Sequence, residues 1–258
     1  MSIPRLFLRH SIETGDVCIV TAEQARYLKT VLRMRAGEPL HVFNGTGWEY
    51  EAVIRQAAEG LALEINDRRP MTADRIEITL CQAIPKADKM EAIIRHATEL
   101  GAGRIIPFHA ERSIPRWPAE KSPQKRERWQ KIAIEASRQC GRADIPEIGE
   151  IASLDEVLRS THPEWLNLIC WEEESARGIR EILRDPKNDG TRGFLLVVGP
   201  EGGFDKKEID QAQQAGFLSV SLGKRVLRVD TAAVAVIAIL QYEKGTLGGP
   251  EGGGPHGK

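Results

Sequence analysis

Gly199-Pro200-Glu201-Gly202-Gly203 follows directly on the charge-free run Phe194-Leu195-Leu196-Val197-Val198. Five apolar residues rich in Val and Leu predict a strand buried on both faces, as in a parallel sheet. Glycines at the carboxyl end of such a strand let a ligand approach the backbone and leave N–H groups free to donate to it. Two further loops leave predicted strand ends: Cys170-Trp171-Glu172-Glu173-Glu174 and Leu222-Gly223-Lys224-Arg225-Val226-Leu227-Arg228. The acidic run from Glu172 to Glu174 reads as a solvated loop whose start is available to ribose hydroxyls. Neither common nucleotide fingerprint is present. There is no G-x-G-x-x-G, and Gly223-Lys224-Arg225 lacks the spacing and hydroxyl of a Walker loop. The five letters recur at Gly249 to Gly253, with no strand before and no helix after, so that copy is expected to bind nothing.

Residues 1–70 supply a small, mainly β unit. Strands are predicted at 16–20, 40–43, 48–54 and 61–65, with a turn at Asn44-Gly45. Thr21 caps a helix over 22–33 whose apolar stripe is Ala25, Leu28, Val31 and Leu32, and whose opposite face carries Arg26, Lys29 and Arg33. Short strands of this kind commonly curl into a barrel. Arg68-Arg69-Pro70 reads as the linker that closes the unit.

Residues 74–245 alternate strands with helices, which predicts a parallel α/β sheet. Strands are expected at 76–80, 104–108, 166–170, 194–198 and 219–222. Asp88 is placed as the cap of a helix that Gly101 stops, and a long basic helix runs over 124–139. Asp205-Lys206-Lys207-Glu208 is a capping-box pattern. The last helix, 230–242, has no polar face and is expected to be buried all round, deep in the domain or at a subunit interface. Residues 246–258 are Gly/Pro-rich and expected to be a disordered tail.

The 258 residues carry 36 Lys+Arg against 37 Asp+Glu, so no global charge announces a partner. The balance hides an asymmetry. Residues 104–142 hold ten basic and four acidic side chains, whereas 150–189 hold ten acidic and five basic. A basic block beside an acidic one points to an anionic partner on one face. The four cysteines, Cys18, Cys81, Cys140 and Cys170, form no paired motif, and the histidines show no ligand spacing. Reduced thiols, no metal, no signal peptide and no membrane span are expected, hence a cytoplasmic protein.

Taken together, Gly-Pro-Glu-Gly-Gly after a buried strand and Leu-Gly-Lys-Arg-Val-Leu-Arg-Val-Asp-Thr-Ala-Ala leading into an apolar helix resemble the SPOUT methyltransferases, and within them the RsmE type. The resemblance extends through Ala97-Thr98-Glu99-Leu100-Gly101, Glu111-Arg112-Ser113, Glu135-Ala136-Ser137-Arg138-Gln139-Cys140 and Leu28-Lys29-Thr30-Val31-Leu32-Arg33, and covers nearly the whole chain except the tail. It departs at Val229-Asp230-Thr231, where that family usually has Thr-Glu-Thr, and Asp230 is expected to keep the charge and cap the helix. It also departs near His96, where the family commonly carries Lys or Arg.

The resemblance implies a PUA-like β-barrel followed by a SPOUT-type trefoil-knotted parallel sheet domain that binds S-adenosylmethionine, in a homodimer. It implies methylation of N3 of a uridine in small-subunit 16S ribosomal RNA, free or in the assembled subunit. Rival readings are a related enzyme acting on tRNA, a non-catalytic RNA-binding assembly factor, or a nucleotide-dependent α/β enzyme. The cofactor residues expected are Trp171, Leu196, Gly199, Pro200, Glu201, Gly202, Leu222, Gly223, Val226, Leu227 and Arg228. An imide nitrogen is a poor nucleophile until it loses its proton, so a cation and a proton acceptor are needed. Arg138 is the expected cation, with Arg9 as the alternative, and Glu201 and Asp230 are the expected acceptors. RNA is expected on Arg9, Arg26, Lys29, Arg33, Lys86, Arg112, Arg116, Arg138 and Arg142.

Overall fold

A computed structural model describes residues 3–58, 60–71, 76–114, 119–245 and 247–248. The chain divides into two compact units, Met1–Ala73 with Ile134–Ile145, and Asp74–Ala133 with Pro146–Lys258. Arg116 and the second glycine pentapeptide lie outside the described residues.

The first unit is built on β1 (Arg5–Phe7), β2 (Val17–Ile19), α1 (Ala22–Arg26), β3 (Pro39–Phe43), β4 (Trp48–Ala57) and β5 (Gly60–Pro70). The strands form one sheet in the order β1-β3-β4-β5-β2, antiparallel except where β1 meets β3. Its core gathers Leu6, Val42, Ile54 and Leu63, residues that the period of a strand turns to one side, together with Leu28 from the helical segment that follows α1. Thr21 caps α1 as expected, in a reciprocal capping box with Gln24. The helix then departs from expectation. Tyr27–Val31 forms a π-helical turn, with Leu32 N–H donating to the Tyr27 carbonyl at 3.1 Å. The Thr30 hydroxyl donates to the Arg26 carbonyl at 2.8 Å and so competes for a carbonyl of the preceding turn.

The Arg68-Arg69-Pro70 linker is also corrected. These residues continue β5, pairing Arg69 with Glu49 and Pro70 with Trp48. The cause is Glu49, which is 3% exposed and accepts from Arg5 Nε at 2.8 Å and Arg69 Nη2 at 2.6 Å. The remaining Arg5 nitrogens donate to the carbonyls of Ser137, Arg138 and Arg142 at 3.0, 3.2 and 3.0 Å. A buried carboxylate thus orients an arginine that satisfies the orphan carbonyls ending the long basic helix. That contact accounts for Ile134–Ile145 grouping with the first unit.

The second unit contains β6 (Glu77–Ala83), α2 (Lys89–Glu99), β7 (Arg104–His109), most of α3 (Ser122–Cys140), β8 (Glu147–Ile148), β9 (Ala152–Ser153), α4 (Leu154–Arg159), β10 (Leu166–Cys170), α5 (Ile179–Leu183), β11 (Gly193–Val198), α6 (Lys206–Gln214), β12 (Leu218–Val220) and α7 (Val229–Lys244). All pairings are parallel, in the order β12-β10-β11-β6-β7-β8, with β9 also on β7. Every residue of β11 is buried, as its charge-free sequence requires. Two caps differ from expectation: Asp88 occupies the N-cap of α2 but its side chain makes no capping bond, and the N-cap of α7 is Arg228, not Asp230.

Burial of α7 within its own domain covers part of its surface. Val229, Ala233, Val236, Ile237, Leu240 and Gln241 are buried, whereas Ala232, Val234, Ala235, Ala238 and Ile239 are only partly covered and Tyr242 is 66% exposed. An interior position therefore explains half the helix surface. No helix among the described residues is long and apolar enough to cross a membrane.

Candidate functional site

Because the sheet is parallel, the carboxyl ends of β6, β10, β11 and β12 share one edge, and the loops that leave them meet there. They enclose a cavity of about 450 Å³, within the range of small-molecule and cofactor sites. Nine residues expected to bind a cofactor line it: Trp171, Gly199, Pro200, Glu201, Leu222, Gly223, Val226, Leu227 and Arg228. Two do not. Leu196 lies two residues back along β11 and is fully buried. Gly202 faces outward, its carbonyl accepting from Arg112 Nη1 at 3.0 Å, and a Cβ there would lie 3.2 Å from Arg112 Cβ.

The glycine that the turn requires is Gly203. It lines the cavity with φ +68°, its N–H donates to the Pro200 carbonyl at 3.0 Å, and an added Cβ would collide with the Glu172 carboxylate. Only a residue without a Cβ takes that backbone cheaply. Glu172, Lys224 and Arg225, from the two other loops read in the sequence, also line it, and Lys89, Val198, Val220 and Ser221 join them unanticipated. Lys89 could have been found by noting that β6 also ends at this edge.

The loops are tied to one another. The Glu201 carboxylate accepts from Lys89 Nζ at 2.6 Å and from the Lys86 backbone N–H at 3.2 Å, which pins the glycine turn to the start of α2. Burial pushes the Glu201 carboxyl up, but the Lys89 ammonium and the backbone N–H groups outweigh it and hold the group below the usual carboxylate range. A carboxylate held below its ordinary range is a weaker proton acceptor than a free one. Glu172 and Glu173 are exposed, as a solvated loop requires, whereas Glu174 is half-buried. It accepts from the hydroxyl of buried Ser219, which itself accepts from Gln213 at 3.0 Å, and from the Ala176 N–H at 2.8 Å. The Ser219 bond, the largest influence, also draws the Glu174 carboxyl down. Ser221 N–H and C=O bond Arg177 and Ile179, joining the end of the first loop to the start of the third.

Asp230 sits in the first turn of α7, where the helix dipole favours a negative charge, with Oδ1 shielded and without a hydrogen-bond partner among the described residues. It does not line the cavity. Cys170 does, and burial pushes its thiol up to about 12, so it forms a neutral wall.

The expected RNA contacts divide by their partners. Arg9, Arg26, Lys29 and Arg33 are exposed on the first unit. Arg33 takes a left-handed backbone, φ +55°, just after the π-helical turn. Lys86 is exposed, while Arg112 pairs with Asp205 at 3.4 Å. Arg142 is corrected: it is buried and paired with Asp144 at 2.6 Å, so it is not available to a phosphate. Arg138 pairs with Glu135 at 2.8 Å and lies 5.2 Å over the Tyr27 ring. Burial alone would lower its affinity for the proton, but the Glu135 bond and charge outweigh this, so Arg138 is a permanent cation. No cluster of His, Cys, Asp and Glu able to hold a metal occurs among the described residues.

Comparison with known proteins agrees with this geometry. The RNA methyltransferase domain family matches residues 72–241 and the RNA methyltransferase PUA domain family residues 20–64. The ribosomal RNA small subunit methyltransferase E of Bacillus subtilis is 29% identical over 250 residues, spanning 94% of this chain and 96% of that protein. The crystal structure of the same-named protein from Neisseria gonorrhoeae, bound to S-adenosyl methionine, is 32% identical with a TM-score of 0.83, covering 93% of this chain and 98% of that one. A Legionella pneumophila methyltransferase solved with its bound cofactor SAM is 33% identical, also at 0.83, covering 94% and 98%.

Proposed function

Because the chain belongs to the ribosomal RNA small subunit methyltransferase E family, we propose that it methylates small-subunit 16S ribosomal RNA at N3 of a uridine, with S-adenosylmethionine as donor. The observation that carries this reading is the cavity at the carboxyl edge of the parallel sheet. Its walls suit that cofactor: Val198, Val220, Leu222 and Leu227 offer apolar surface, and Gly199 and Gly203 bring backbone close. Glu172 and Glu201 place two carboxylates where a sulfonium would be favoured. S-adenosylmethionine, when bound, supplies an activated methyl group.

The protein's part is positioning and charge. Glu201, held by Lys89 and Lys86, fixes the glycine turn rather than taking the imide proton. Arg138, permanently charged and oriented by Glu135 and Tyr27, is the cation assigned to the imide anion. The exposed cations of the first unit serve the RNA backbone. The half-covered apolar face of α7 is the surface a second copy would bury in a homodimer. The trefoil threading belongs to the same reading, as does a cytoplasmic site of action beside the ribosomal RNA.

The test is transfer of labelled methyl to small-subunit ribosomal RNA, free or in subunits lacking the modification, with nucleoside mass spectrometry locating it at N3. Intact cofactor binding without transfer to either substrate would refute the reading.

A further inference from the structure

The segment between β12 and α7 runs along the cavity rim and carries more charge than a small cofactor needs. Gly223, at φ +122°, turns the chain outward, and the Ser221 hydroxyl anchors the turn by accepting from the Gly223 N–H at 3.2 Å. Lys224, Arg225 and Arg228 are exposed, and none of their charged ends makes a hydrogen bond or ion pair among the described residues. The segment contains no acid. By contrast, two other cations beside the glycine turn are engaged, Lys89 by Glu201 and Arg112 by Asp205. S-adenosylmethionine carries a single carboxylate, so it can answer one of three free cations. Between them stands Val226, 82% exposed and the most exposed large apolar side chain among the described residues, while Leu222 and Leu227 beside it are partly buried.

We propose that this segment is an RNA-contacting finger: Lys224 and Arg225 hold the phosphates flanking the target nucleotide, and Val226 fills the place its base leaves in the stack. The inference rests on the methylation reading. A base buried in a stack is out of reach of a cavity, so an enzyme acting on it must unstack it and support the gap. Apolar wedges do this where cations hold the backbone on either side.

The test measures the salt dependence of binding to small-subunit ribosomal RNA for the wild type and for a Lys224→Ala, Arg225→Ala double variant. Each lost phosphate contact on a single strand lowers the slope of log K against log salt by about 0.7, so a decrease of about 1.4 is expected. Calorimetric affinity for S-adenosylmethionine should fall much less than affinity for RNA, because both side chains are exposed at the cavity rim. Val226→Ser should slow single-turnover methylation at least tenfold with RNA affinity little changed, and Val226→Phe should restore the rate. An unchanged slope with weakened cofactor binding would overturn the proposal and assign the loop to the cofactor. An unchanged slope with loss of self-association in sedimentation would overturn it in favour of an interface between copies. Failure of the methylation reading would look different, because the wild type itself would bind cofactor and transfer nothing.

Discussion

Glu49→Gln is expected to remove about 3 kcal/mol from the first unit. Glu49 is 3% exposed and neutralises Arg5 and Arg69. Taking the charge from one member of a buried pair costs about 3–5 kcal/mol, because the other is left uncompensated. The Arg69 side chain is 36% exposed and regains hydration, which places the cost at the lower end. Such a loss lowers the midpoint of a 60–100-residue domain by roughly 12–24 °C. Hydrogen exchange read by mass spectrometry localises it: amides of β3, β4 and β5 should exchange about a hundredfold faster, at 1.4 kcal/mol per tenfold. Amides around Ser137 to Arg142 should follow, since Arg5 would lose the partner that aims it at their carbonyls. The pH dependence has a definite sign. Burial raises the Glu49 carboxyl, but the Arg69 hydrogen bond and the His41 and Arg5 charges outweigh it, leaving the group below its ordinary 4.5. Its contribution is therefore complete above pH 4.5 and is lost as pH falls through the lower folded value. Wild-type and variant stabilities should converge below pH 4.5. Parallel curves, or exchange altered less than threefold, would refute the reasoning.

Gly203→Ala should cost about 1–2 kcal/mol for its left-handed backbone and displace Glu172 into the cavity, weakening cofactor affinity roughly tenfold by calorimetry. Gly202→Ala meets only Arg112 and should weaken it less; the reverse order would show that the turn is misread. Glu201→Gln should raise KM for the cofactor several-fold with kcat little changed, whereas a hundredfold fall in kcat alone would restore Glu201 as the proton acceptor. Arg138→Ala should reduce turnover much more than cofactor affinity, and equal loss in both would remove it from the chemistry.

Much of the ligand-binding edge was legible in the sequence because its signals are local. A buried parallel strand is a short charge-free run, a tight turn needs glycine at a particular residue, and the capping box of α6 spans four positions. Nine of the cavity residues follow from such signals together with the family resemblance. Tertiary structure decided the partnerships. Lys89 meets Glu201 across 112 positions, Glu174 meets Ser219 across 45, and Arg5 meets the carbonyl of Arg142 across 137. Those distances in sequence carry no periodicity, so the folded chain alone reveals that Lys89 belongs to the site and that Arg142 lies buried beyond a helix end. The residue types state which charges and turns the protein can make. Which charges are neutralised inside the fold and which stay exposed follows only from where the chain brings them together, because the behaviour of a charge is set by its neighbours in space.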